Sequence, residues 1–184
     1  MASSKDIMRK ILRDVRVEAS QQFDRNFTQE SFFGTPWPRR KGPVRRNRHL
    51  LVSTGDLRRS ILSRSDENSI TFYSDLPYAA IQNKGGDIRV TARMKRLFWA
   101  KYYEATGGFK RRKDGSLSRS KRQVQLSEEA EFWKAMALKK VGETITIPKR
   151  QYLGTSPQLE NAVKAIIEKD IEEYLKTIKD EIKP

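Results

Sequence analysis

Apolar residues recur at steps of three and four residues in two long segments, one near each end of the chain. In the first segment, residues 4–27, the apolar positions are Met8, Leu12, Val15, Ala19, Phe23 and Phe27. In the second, Ser156 and Pro157 precede an apolar series from Leu159 to Ile182. This period is that of an amphipathic helix, and a serine followed by a proline is typical of a helix start. The sequence therefore predicts a long terminal helix at each end, with one buried face.

Between these helices, the pattern of apolar and polar residues changes from one short segment to the next. Alternating residues predict strands over 60–64, 69–74, 88–90 and 144–147, with a turn at residues 66–68. Short helices are expected over 77–81, from Thr91 through Ala105, and from Ser127 to Gly142. A turn signal at Lys113, Asp114 and Gly115 favours a basic hairpin over residues 109–125.

These elements predict an α+β fold in which a small antiparallel sheet is packed by the long N- and C-terminal helices. Residues 95–142 are expected to form a helical and basic-hairpin insertion. A length of 184 residues suits one domain, so we expect a single domain over residues 1–184. Because hydrophobic residues make up only 36% of the chain, the core is expected to be thin.

The charge balance points to a polyanion or an acidic protein surface. The net charge is +15, from 38 Lys and Arg against 23 Asp and Glu. Residues 39–48 hold six basic and no acidic groups, and residues 89–122 hold twelve basic groups against Glu104 and Asp114. A solvated surface that only keeps the protein soluble is an equal alternative for any single residue. The residues expected to face DNA or an acidic partner are Arg39, Arg40, Lys41, Arg45, Arg46, Arg48, Lys110, Arg111, Arg112 and Lys113.

Candidate catalytic residues are few. His49 is the single histidine and has no evident carboxylate or imidazole partner, so we expect a loop residue. The chain has no cysteine, and the Glu128–Glu129 pair is explained by the positive start of a helix. No apolar run approaches the about 18 residues of a membrane span, and we expect a protein that is soluble where it is made. The sequence thus predicts no catalytic residue, metal site or cofactor.

Aromatic residues beside basic ones admit two interpretations. Interleaving at Trp37, at residues 98–103 and at Phe109 could stack the bases of a single strand. We favour packing, with Phe98 and Tyr102 on a buried helix stripe. Trp99 and Tyr103 lie off that stripe and are predicted to contact a neighbouring subunit. Arg150 is predicted to contact a carboxylate or backbone carbonyls, within the fold or across a subunit boundary.

Four short motifs occur in a fixed order between the terminal helices. They are Gly34-Thr35-Pro36-Trp37, the segment from Thr54-Gly55-Asp56-Leu57 to Ser60-Ile61, Tyr78-Ala79 with Gly85-Gly86, and Ile147-Pro148-x-Arg150-x-x-x-Gly154. In this order they resemble the phage virion morphogenesis family, the Mu G-like tail completion and neck proteins. Lys149 stands where the family often has a small residue, and the excursion at 95–142 is long.

The resemblance implies a non-enzymatic structural protein of a tailed bacteriophage. Such a protein would form a ring, expected to be hexameric, at the head–tail neck or tail top, completing the tail and joining it to the head. Its partners would be further copies of itself, head-closure or connector proteins, tail-terminator or tail-tube proteins, and genomic DNA in the channel, with no membrane. It would reside in the virion, and in the host cytoplasm during assembly.

Two alternative functions belong to other classes of protein. A basic nucleic-acid-binding module without sequence-specific readout would explain the charge, but no recognition-helix, RRM, KH or zinc signature accompanies it. An enzyme such as a nuclease would need a cluster of carboxylates or histidines, and the sequence does not offer one.

Overall fold

The computed structural model describes residues 4–40, 42, 49–107, 112–116 and 121–182, with the backbone alone described at 121–123, 125, 181 and 182. The chain divides into two compact units. The first unit comprises Met1–Pro38, His49–Lys84 and Lys149–Pro184, and the second comprises Arg39–Arg48 and Gly85–Pro148. The second unit therefore contains the predicted insertion at 95–142, together with residues 39–48.

Six helices and six strands are assigned within the described part of the chain. Those of the first unit are α1 (Ser4–Gln29), β1 (Ser31–Phe32), β2 (Thr35–Pro36), α2 (Asp56–Arg59), β3 (Leu62–Ser65), β4 (Ile70–Tyr73), α3 (Ala79–Lys84) and α6 (Pro157–Ile182). Those of the second unit are β5 (Gly86–Arg89), α4 (Ala92–Gly107), α5 (Lys121–Leu138) and β6 (Thr144–Ile147).

The predicted α+β class with long terminal helices is confirmed. The strands form three separate two-stranded antiparallel sheets across the described residues: β1–β2, β3–β4 and β5–β6. In β3–β4, Leu62 lies opposite Tyr73, and in β5–β6, Arg89 lies opposite Thr144. Alternation predicted β3 to β6 but not the short strands β1 and β2, and the pairing of distant strands such as β5 and β6 is not encoded in a local pattern.

The start of α6 is as the sequence predicted. The Ser156 hydroxyl accepts a hydrogen bond from the Leu159 amide at 3.1 Å, which satisfies one of the free amides of the first turn. Pro157 occupies the first helical position, where its missing donor costs nothing. At α2, by contrast, Gly55 with φ 83° precedes the helix and no side chain caps it.

The predicted basic hairpin is wrong in its second half. Residues 121–125 are helical, and α5 begins at Lys121 instead of Ser127. Lys121, Arg122, Gln123 and Gln125 are good helix formers, so propensity extends the helix ahead of the serine. The turn itself is confirmed, since the Gly115 amide donates to the Arg112 carbonyl at 3.0 Å. Residues 108–111 and 117–120 of that hairpin lie outside the described residues.

Helices α1 and α6 pack against each other along their apolar faces. Ala19 and Phe23 of α1 form a buried cluster with Leu159 of α6. Nearby, the Lys10 ammonium bonds to Asp170, whose side chain is only 3% exposed, and lies 3.3 Å from Glu173. Both apolar burial and this ion pair therefore fix the last helix to the first.

We expect truncation of the chain after Gly154 to abolish soluble folding. The truncated chain would lose Leu159 and Asp170, uncover Phe23, and leave Lys10 without its buried partner. Circular dichroism and thermal melting test this expectation, with Leu175→Ala as the matched control because Leu175 is 49% exposed. A truncated protein that still melts cooperatively would show that α6 is a docking arm and not part of the core.

Candidate partner and nucleic-acid interface

The first unit is organised around an extended stretch between β6 and α6, here called the central segment, residues 150–153. Its peptide groups bond to side chains in place of a neighbouring strand. The Asn83 amide oxygen accepts from the Tyr152 and Leu153 amides at 2.8 and 3.0 Å, and the Asn83 nitrogen donates to the Leu153 carbonyl at 3.1 Å. Asn26 donates to the Tyr152 carbonyl at 3.2 Å.

Further contacts hold both ends of the central segment. The Trp37 indole donates to the Gln151 carbonyl at 2.6 Å, and the Arg150 amide donates to the Gln82 carbonyl at 2.9 Å. The buried Tyr152 hydroxyl donates to the Ala79 carbonyl at 3.0 Å, and burial raises the pKa of Tyr152 to about 12. The segment is thus fixed by backbone and side-chain bonds along its length.

Arg150 acts within the fold. Its guanidinium Nε donates to the Pro38 carbonyl at 2.9 Å, and the residue is 7% exposed. The prediction that Arg150 contacts backbone carbonyls is therefore confirmed in its intrachain form. A contact of Arg150 with a neighbouring subunit stays a prediction.

The four sequence motifs meet at this place. Trp37, Leu57, Ala79 and Tyr152, one from each motif, form a single buried cluster with Phe27. These side chains are apolar or bonded to backbone groups. These four residues therefore form part of the core of the first unit.

His49 has a carboxylate neighbour that the sequence did not reveal. Its Nδ1 lies 3.3 Å from the Glu30 carboxylate, which also accepts from the Leu50 amide at 2.5 Å. The expectation that His49 lacks such a partner is wrong, because the turn after α1 brings Glu30 close from far along the chain. His49 is a loop residue as expected, with a 69% exposed side chain. Within the described ranges, no three His, Cys, Asp or Glu side chains could together hold a metal ion.

Charge is divided very unequally between the units. The second unit holds 21 Lys and Arg against 7 Asp and Glu, a net charge of +14. The first unit holds 17 against 16, a net charge of +1. Almost the whole positive charge of the chain thus belongs to the second unit, and creates a long-range positive field around it.

The structure places part of the predicted basic set. Arg39, Arg40, Arg112 and Lys113 are exposed, the last two in the turn ahead of α5. Gly42 lies in the same basic stretch as Arg39 and Arg40. It sits against the Phe132 ring of α5, and an added Cβ would lie 2.7 Å from that ring, so no side chain fits at this position. The remaining predicted cations, Lys41, Arg45, Arg46, Arg48, Lys110 and Arg111, lie outside the described residues.

Among the aromatic residues of α4, Phe98 is buried as the helix stripe predicts, whereas Tyr102 is only half-buried. Phe98 is buried and stacks on Trp133 of α5 with ring centroids 5.9 Å apart. Trp99 is half-buried and stacks on Tyr103, which is 64% exposed. Phe98 is therefore confirmed as a core residue. The subunit-contact role of Trp99 and Tyr103 stays a prediction, and Tyr103 covers one face of Trp99 that a base would need.

Sequence reasoning missed one group of cations. Arg89 at the end of β5 and Arg93, Lys95 and Arg96 in the first turns of α4 were counted in the charge total but given no role. The sequence feature that could have revealed this group is the absence of any acidic residue from 88 to 103.

We expect Asn83→Ala to destabilise the first unit more than any exposed Asn→Ala change. The substitution removes three hydrogen bonds and leaves backbone groups of the central segment unpaired, at about 1–3 kcal/mol for each buried group. Thermal and urea unfolding measure the loss, with exposed Asn161→Ala on α6 as the control. Equal melting temperatures for the two variants would contradict the role given to Asn83.

Comparison with known proteins identifies one family. The sequence model of the phage virion morphogenesis family matches residues 1–172, which include all four motifs. No curated protein and no solved structure matches the chain. Across the described residues, no helix has the length and apolar character needed to span a membrane.

Proposed function

The chain belongs to the phage virion morphogenesis family, and we propose that it is a non-enzymatic structural protein forming a ring at the head–tail neck or tail top. Membership in this family gives the chain a role in building the phage particle. The ring, its hexameric state and its position are our proposal. In it, the ring completes the tail and joins it to the head, within the virion and, during assembly, in the host cytoplasm.

The observation that carries the proposal is the division of charge between the two units. A nearly neutral first unit, fixed by the central segment, can pack against other proteins without strong repulsion. A second unit with a net charge of +14 supplies a surface for DNA or for an acidic neighbouring ring. A protein at the junction of head and tail meets both kinds of partner.

Exposed apolar side chains support contact between copies. On α4, Leu97 and Tyr103 are 54% and 64% exposed, and on α6, Ile171 and Leu175 are 43% and 49% exposed. Different patches meeting between copies make a head-to-tail contact, which closes into a ring when the rotation allows. Head-closure or connector proteins and tail-terminator or tail-tube proteins are the proposed neighbours.

A cellular nucleic-acid-binding module is the second candidate, and the charge of the second unit favours it. The identity of the neighbouring genes distinguishes the ring protein from the nucleic-acid-binding module. A position among capsid and tail genes supports the ring, whereas a position beside replication or translation genes supports the module.

We expect the purified protein to assemble into a closed hexamer at virion-like concentration, measured by native mass spectrometry. Tyr103→Ser should shift the distribution toward monomer because it removes an exposed aromatic contact. Val17→Ser, at an exposed apolar position of α1, is the control and should leave the hexamer unchanged. A protein that contacts no copy of itself in mature particles would refute the ring.

Replacing either basic cluster with serine should impair head–tail joining while the monomer stays folded. One variant carries serine at Arg39, Arg40, Arg45, Arg46 and Arg48, and the other at Lys110, Arg111, Arg112 and Lys113. Residues 39–48 contain no carboxylate, and the cluster at 110–113 is followed by the single carboxylate of Asp114, so each variant removes a strong local excess of positive charge. Complementation of a phage lacking the gene, scored as infectious particles and by electron microscopy, gives the readout. Normal yields from both variants would count decisively against a role for these clusters.

A further inference from the structure

Four cations follow one another closely along the chain where β5 leads into α4, and are here called the α4 cation group: Arg89, Arg93, Lys95 and Arg96. The three arginines are exposed and Lys95 is half-buried. No salt bridge in the described part of the chain involves any of the four. The nearest acidic residues along the chain are Asp87 and Glu104, and Glu104 is paired with Lys101 at 2.6 Å.

The backbone that carries the group is held in place. Val90, only 1% exposed, donates to the Glu143 carbonyl and accepts from the Gly142 amide, both at 2.8 Å. The Thr91 hydroxyl then accepts from the Met94 amide at 3.2 Å and caps α4. The packing of Phe98 on Trp133 fixes the helix one turn later. These cations therefore project from ordered elements, which lowers the entropy cost of binding.

We propose that the α4 cation group binds the phosphodiester backbone of duplex DNA without reading its sequence. This inference deepens the proposed function and rests on it for the identity of the polyanion. Arginine guanidinium groups form bidentate hydrogen bonds to phosphate, and residues one helical turn apart are separated by about 5–6 Å. A duplex carries one negative charge per about 1.7 Å of axis, which is a dense array of acceptors for such cations.

The surroundings favour a phosphate backbone over an acidic protein surface. Residues 88–103 contain only cations among their charged groups, which matches the uniformly negative charge of a phosphate backbone. The positive unit around them adds a long-range field that attracts a uniform polyanion. Base reading is disfavoured because the neighbouring aromatic rings, Trp99, Tyr102 and Tyr103, are packed on one another.

The test measures binding of the full-length protein to a fluorescent 30-base-pair duplex by anisotropy over a range of salt concentrations. Arg93→Gln, Lys95→Gln and Arg96→Gln are combined in one variant. We expect at least tenfold weaker binding near 0.1 M salt, and a log–log salt slope reduced by about two to three, because each phosphate contact contributes about 0.9. Circular dichroism verifies that the variant is folded.

The matched control combines Lys164→Gln, Lys176→Gln and Lys179→Gln on α6 of the first unit. These three lysines are exposed, and their replacement changes the net charge by the same amount. We expect less than a threefold loss of affinity and little change in slope. Equal losses in both variants would assign binding to net charge alone and overturn the proposal, as would unchanged binding by the α4 variant.

A particle experiment separates this inference from the proposed function. If the α4 variant binds duplex normally but is not incorporated into particles, the group contacts an acidic protein, and the inference fails while the proposed function stands. If the α4 variant loses DNA binding as expected but the wild-type protein is absent from mature particles, the inference holds and the proposed function fails.

Discussion

The first unit depends on one constraint: a buried extended backbone must have every peptide group satisfied although no strand lies beside it. Asn83 meets much of this requirement by accepting two hydrogen bonds and donating one. Asn26 and the Trp37 indole add bonds from α1 and from the turn after β2. Through these bonds, the central segment ties separate parts of the chain into one structure.

The same contacts secure the points where the chain leaves and re-enters the first unit. Pro38, the last residue before the basic stretch 39–48, accepts from Arg150, and His49, the first residue after it, lies against Glu30. Lys84 follows Asn83 directly, and Lys149 directly precedes Arg150. Each junction is therefore within one residue of a fixed contact, so changes in the length or charge of the second unit need not disturb the first.

Local patterns in the sequence were enough to predict the terminal helices, the Ser156 cap and most strands, because these are set by periodicity and by residues within one turn. The helical start at Lys121 was missed because a later serine resembled a cap more strongly than the residues before it resembled a helix. Asn26 and Asn83 carried no signal at all, since an asparagine that bonds to a distant backbone looks like any loop or helix asparagine. The motifs were recognisable, yet their common role in one buried cluster depends on contacts across more than a hundred residues.

The two basic stretches were visible in the sequence, but their membership of one compact unit was not, and it has an energetic consequence. A unit with a net charge of +14 repels itself, and the repulsion opposes its compact state. A polyanion that binds only the folded unit removes part of this repulsion and stabilises the fold in proportion to its occupancy. The first unit, with 17 cations against 16 anions, has no such dependence. Contact with a polyanion would thus stabilise the second unit selectively, linking its order to the arrival of its partner while the scaffold stays folded throughout.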